Sequence, residues 1–125
     1  MAETKKSTKK ADLVDLVVAG MQEKKAQNIT IIDLRKLKEA IADYFIICSA
    51  NSDTQVGSIH DSIDEVVFKN EKMHAWRTEG EKQKEWIIVD YGDVVAHIFR
   101  KDKRPFYDLE DLWGDGVITK IENLD

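Results

Sequence analysis

With one cysteine in 125 residues the chain cannot form an intrachain disulfide, and Cys48 lies inside an apolar run, where a small buried hydrophobe is the expected role. Histidine is almost as scarce. His60, His74, His97 and carboxylates are all that a metal site would have to draw on, no ligand spacing gathers them, and neither metal nor cofactor is expected. No apolar run approaches the roughly 20 residues that cross a bilayer. The start, Met1 to Lys10, holds four lysines but neither an apolar stretch nor an arginine, so neither a secretory signal nor a transit peptide fits and a cytoplasmic protein is expected. The six glycines, Gly20, Gly57, Gly80, Gly92, Gly114 and Gly116, make neither a Gly-x-Gly-x-x-Gly nor a Gly-x4-Gly-Lys-Ser/Thr loop, which argues against nucleotide binding through a standard phosphate cradle. A Gly-x-Ser-x-Gly elbow and a local Cys–His signature are also missing, which argues against a hydrolase.

What is present is a soluble composition, 42% hydrophobic and 34% charged, at the length of one domain with one core. The net charge of −5 is unevenly spread: residues 1–84 carry 14 acids and 14 bases, while residues 85–125 carry 10 acids and 5 bases. An acidic last third favours a basic partner and leaves little room for direct nucleic-acid contact, which needs clustered Lys and Arg.

Leu13, Leu16, Val17, Gly20 and Met21 recur at helical spacing, predicting a helix from Thr8 to Ala26, with Ser7 or Thr8 as N-cap and Asn28 as its stop. Ile29–Leu34 and Asp43–Ser49 read as two strands joined by a short basic connection containing Arg35, Lys36 and Lys38, too short for a parallel crossover. Ser52-Asp-Thr-Gln55 has the form of a capping box, opening a helix to about Asn70 that buries Val56, Ile59, Ile63, Val66 and Val67. Met73–Thr78 then reads as a weak strand, and Trp86–Asp90 and Val94–Arg100 as a hairpin across Tyr91-Gly92-Asp93. Pro105 opens a last helix that ends before Gly114, with Phe106, Leu109 and Leu112 or Trp113 toward the sheet and Tyr107, Asp108, Glu110 and Asp111 toward solvent. Gly116 to Asp125 fits either an edge strand or a tail. The order α-β-β-α-β-β-β-α gives an α+β fold, a mixed sheet of about five strands with helices packed on it.

Asp90 and Asp93 flank a glycine, which plain turn chemistry explains. Trp86 and Tyr91 beside them ask for more, because aromatic rings joined to charged groups are what interface hot spots use. Trp86, Asp90, Tyr91 and Asp93 are therefore a candidate contact surface. His97 alternates with Val95 and Phe99 on its strand, which predicts a core or half-buried histidine, with a hydrogen bond orienting the neighbouring acids as the alternative role. Trp86, Tyr91, Phe106, Tyr107 and Trp113 in adjoining elements predict an exposed apolar patch that two copies would bury about a two-fold axis.

Ala42-Asp-Tyr-Phe-Ile-Ile-Cys48, Trp86-Ile-Ile-Val-Asp-Tyr-Gly-Asp-Val-Val-Ala-His-Ile-Phe99 and Phe106-Tyr-Asp-Leu-Glu-Asp-Leu-Trp113 together resemble the ribosomal silencing factor family, also called Iojap-like, over about Asp12 to Trp113. The resemblance implies a silencing-factor domain at 11–114, preceded by a flexible lysine-rich start at 1–10 and followed by an extension at 115–125. It implies a non-catalytic protein that binds ribosomal protein uL-fourteen on the large ribosomal subunit, blocks joining of the small subunit, represses translation under nutrient limitation and forms a homodimer when free. Trp86, Asp90, Tyr91, Asp93 and His97 match the family's hairpin, and Arg104, Phe106, Tyr107 and Trp113 its closing helix. The start, the residues after Trp113 and Ala96 depart from its pattern. The resemblance also implies a nucleotidyltransferase-like core, so an enzyme or nucleotide-binding module of that type is the alternative. Such enzymes hold two metal ions on an Asp-x-Asp pair and a third carboxylate, whereas here Asp43-Tyr-Phe offers Asp43 alone.

Overall fold

The computed structural model describes residues 2–124, with side chains from Asp12 onward. The elements are α1 (Ala2–Glu23), β1 (Gln27–Asp33), β2 (Tyr44–Ala50), α2 (Asp53–Glu71), β3 (Arg77–Glu79), β4 (Trp86–Asp90), β5 (Val94–Arg100), α3 (Arg104–Tyr107), α4 (Leu109–Leu112) and β6 (Val117–Lys120). The fold is α+β, as expected. The sheet has six strands in the order β3-β4-β5-β2-β1-β6. Only β2 and β5 run parallel; every other pair is antiparallel. The short basic connection makes β1 and β2 antiparallel neighbours, whereas α2 and the β3–β4 pair fill the long crossover that a parallel β2–β5 pair requires.

The parallel pair lies at the centre, covered on both faces, and its strands are nearly continuous apolar runs for that reason. On one face, Ile46, Cys48, Ile87, Val89, Val94, Ala96 and Ile98 meet Val17 and Met21 of α1 and Val56, Ile59, Ile63 and Val67 of α2. On the other, Phe45, Ile47, Val95 and Phe99 meet Leu109, Trp113 and the residues around Leu37 and Ala42 of the β1–β2 connection. Burial pushes the Cys48 thiol up to about 12, consistent with a packing role.

Local chemistry sets the ends of the two long helices. Ser52 Oγ accepts from the Gln55 N–H at 3.1 Å, and Gln55 Oε1 accepts from the Asn51 N–H at 2.6 Å, one residue before the cap. Gln55 Nε2 then donates to the Lys24 and Lys25 carbonyls, so the cap of α2 also closes the end of α1. The two helices touch closely at Gly20, where a Cβ would stand 2.7 Å from the Ile63 Cα. Ser62 Oγ donates to the Gly20 carbonyl at 2.8 Å.

Several boundaries differ from the sequence reading. Helix α1 begins at Ala2, ahead of the Ser7 or Thr8 cap, whose side chains lie outside the described ones, and it ends at Glu23. Asn28 does not stop it: with φ of 53° it sits in a bulge of β1 against β2, while Lys25, at φ 60°, takes the left-handed turn after the helix. Met73 to Trp76 remain outside β3. The last helix is two single turns, because Asp108 adopts φ 41° between them. Residues 117–120 resolve the open alternative as a sixth, edge strand beside β1.

Candidate partner-binding surface

Strand alternation decides which hairpin residues share a face. Trp86, Ile88 and Asp90 of β4 point the same way as Val95, His97 and Phe99 of β5, toward α3 and α4. Trp86 lies against Phe99 (ring centres 4.9 Å) and Tyr107 (4.4 Å), and its Nε1–H donates to His97 Nδ1 at 3.1 Å. That bond puts the imidazole proton on Nε2, which has no partner of its own. His97 is only 5% exposed, with Phe45 set edge-on at 4.5 Å, and burial lowers its pKa to about 3. The histidine therefore stays neutral and holds the indole. The alternative role, orienting the acids, is not what the geometry shows.

Asp90 is half-buried; one carboxylate oxygen accepts from the Gly92 N–H at 2.7 Å and the other stands 3.6 Å from Arg77 Nη2. Turn chemistry thus accounts for Asp90. Gly92, at φ 94°, makes the tight turn possible, and Asp93 is exposed at its end, its carbonyl accepting from the Asp43 and Tyr44 N–H groups. Tyr91 departs from the expected set: it is 8% exposed, packs on the α1–α2 side, and donates its hydroxyl to Asp64 at 3.2 Å. Burial, then the Asp64 charge, raises its pKa. Tyr91 therefore cannot share a surface with Trp86, and it leaves the apolar patch expected there.

Arg104 is a clasp. Its Nη1 donates to the Asn28 carbonyl (2.8 Å) and Ser49 Oγ (2.9 Å), and its Nη2 to Thr30 Oγ1 (3.1 Å) and Glu110 Oε2 (2.6 Å). One guanidinium thereby ties α3 and α4 to β1 and β2. It also draws Glu110, expected in solvent, into a half-buried position. Between these ties Phe106 (79% exposed) points outward, contrary to the expected inward packing, because the break at Asp108 rotates each turn independently. Leu112 (69% exposed) is also outward, which leaves Trp113 as the inward one of that pair. Leu109 and Trp113 make the inward contacts, as the sequence reading allowed, the Trp113 ring lying edge-on to Phe45 at 5.9 Å. Tyr107 is half exposed.

The structure thus brings Trp86, His97, Arg104, Phe106, Tyr107 and Trp113 together along one side, leaves Asp90 and Asp93 at the hairpin end, and buries Tyr91 opposite. Among the exposed apolar residues absent from the sequence-derived set are Ile41 in the β1–β2 connection and Trp76, 77% exposed before β3. Trp76 was hidden by an expected strand; the weak alternation of Met73–Thr78 was the available signal.

Among the described residues no cluster of three or more His, Cys, Asp or Glu could hold a metal ion, and no helix is long and apolar enough to cross a membrane. The chain is similar to ribosomal silencing factor RsfS of Halalkalibacterium halodurans, 36% identical over 113 residues, which is 90% of this chain and 95% of the relative. It is similar to the chloroplastic protein Iojap of Zea mays, 34% identical over 99 residues, 78% of this chain and 41% of that protein. A crystal structure of a Chromobacterium violaceum protein superposes with a TM-score of 0.78 at 28% identity, covering 83% of this chain and 85% of that one. The model of the family RsfS, ribosomal silencing factor during starvation, matches residues 6–125, and the chain belongs to that family.

Proposed function

We propose that this protein acts by binding and not by catalysis: it docks on the large ribosomal subunit through ribosomal protein uL-fourteen, occludes the small subunit and so represses translation under nutrient limitation, in the cytoplasm. The observation that carries the reading is the apolar rim of Phe106, Tyr107 and Leu112, held outward by the Arg104 clasp on the acidic last third of the chain. An aromatic anchor ringed by acids is the surface that a basic protein would complement. Trp86 and Trp113 support the rim, and His97 fixes Trp86 from beneath. The same rim is where two free copies would pair, so homodimer and ribosome complex compete for it.

The test is co-sedimentation with dissociated large subunits, with and without accessible uL-fourteen. Binding is expected only when uL-fourteen is accessible, and Phe106→Ala or Trp86→Ala is expected to weaken it by about 1–4 kcal/mol. Trp86→Ala needs a thermal melt beside it, since that side chain is partly buried against the core. Binding that ignores uL-fourteen would sink the proposal. Light scattering of the free protein, repeated after adding uL-fourteen, checks the competition: a dimer retained in the complex would refute it.

A further inference from the structure

The two edges of the sheet are finished differently. Strand β3 is three residues long, with Arg77 and Glu79 exposed on it and paired with each other at 3.1 Å, which blunts that edge. Strand β6 has no such guard: Val117, Ile118, Thr119 and Lys120 are all exposed, and only one of them is charged. The strand is nevertheless seated on β1. Gly116 approaches so closely that a Cβ there would stand 2.8 Å from Ile32 Cγ2, and past the other end the Ile121 N–H donates to the Ile29 carbonyl at 2.8 Å. That bond also fixes which way the backbone groups point. With Ile29 and Ile121 a hydrogen-bonded pair, Ile31 with Thr119 and Asp33 with Val117 are hydrogen-bonded pairs too, so the N–H and C=O of Ile118 and Lys120 point away from β1. Among the described residues nothing donates to them or accepts from them. Ile118 stands opposite Ile32, which puts its side chain on the face of Leu109 and Trp113, the face that carries the apolar rim.

We propose that the open edge of β6 takes an extended segment of the basic protein partner as an added strand, bonded to the peptide groups of Ile118 and Lys120. The inference rests on the docking reading above and adds main-chain bonds to the side-chain contacts of the rim. Strand addition to an exposed edge draws its affinity from the backbone and its selectivity from the flanking side chains. Here those flanks are acidic. Residues 108–125 hold six acids and one base, and Asp115 and Glu122, exposed at the two ends of the strand, form no ion pair among the described residues. A strand bearing lysine or arginine is complementary to that charge, whereas a second copy would set the same acids against each other. A nucleic acid has no peptide groups to match the ladder.

Two measurements on the full chain test this. In the first, hydrogen exchange at the Ile118 and Lys120 amides is followed on adding a blocked peptide of alternating valine and lysine, or its valine and glutamate counterpart. Both amides are expected to exchange fast in the free protein, to slow saturably with the lysine peptide, and to slow much less with the glutamate one. No slowing, equal slowing with both peptides, or slowing that rises with protein concentration alone, as a second copy on the edge would give, overturns the proposal. In the second, Lys120→Pro removes one outward N–H and no bond to β1, so its thermal melt is expected to stay near the parent's. Its binding to large subunits is expected to weaken about tenfold, with Lys120→Ala, which keeps the amide, weakened much less. If Lys120→Pro binds like the parent while Phe106→Ala is weakened, the edge inference falls and the docking reading stands. If Phe106→Ala is also unaffected, the docking reading falls, and the peptide measurement alone decides the edge. It decides likewise if Lys120→Pro melts far below the parent.

Discussion

The two faces of the sheet are covered in different ways. Over one lie α1 and α2, whose aliphatic side chains meet the central strands with Val17, Met21, Ile59 and Ile63 fully buried. Over the other lie two single helical turns and a loop, the contacts are largely aromatic, and polar groups are carried inside: a histidine bonded to a tryptophan, an arginine bonded to Thr30 and Ser49. Phe106, Leu112 and Ile41 are left standing in water there. Long helices can turn a full apolar stripe inward, whereas a four-residue turn cannot bury all of its apolar groups at once. The first face holds the domain together; the second trades packing for an exposed apolar rim.

The largest expected effect lies on the helix face. Ile63→Ala removes a fully buried side chain at the α1–α2 crossing and is expected to cost about 2–5 kcal/mol in chemical denaturation. On the other face the most sensitive position is the clasp. Arg104→Ala leaves Thr30, Ser49 and Glu110 without their donor and is expected to cost about 2–3 kcal/mol, with Arg104→Lys rescuing little because one ammonium cannot span all four acceptors. An unchanged denaturation midpoint for Arg104→Ala would mean that α3 and α4 hold by apolar contact alone.

His97 sharpens the comparison through pH. Its folded pKa of about 3 lies below the ordinary value of 6.5, so between these limits the unfolded chain binds the extra proton. Its contribution to stability is complete above pH 6.5 and is lost as pH falls toward 3, amounting to about 2 kcal/mol by pH 5. His97→Asn should flatten that part of the profile, measured by denaturation at each pH; the parent slope persisting in the variant would assign it to other groups. The smallest effect belongs to the rim. Phe106→Ala and Leu112→Ala should each change stability by less than about 0.5 kcal/mol, since both side chains are already in water. A loss as large as that of Ile63→Ala would erase the distinction between the faces.

The capping box at Ser52, the β4–β5 hairpin and the alternation that buries His97 were legible in the sequence because each depends on neighbours a few residues away. So were the class of fold, the antiparallel β1–β2 pair and the acidic last third. The family signature also stood in consecutive residues. Tertiary structure alone decided that Tyr91 turns to the helix side while Trp86 faces the other, since alternation fixes the parity along a strand but stops at the turn. It decided that Arg104, a charged residue on paper available to a partner, spends its guanidinium on groups 55 to 76 residues away. It also turned Phe106 outward, through one left-handed residue at Asp108 that no periodicity announces. Local pattern is set by bonds and sterics within a turn or two of chain; which apolar group is left in water depends on how much surface the rest of the fold can cover.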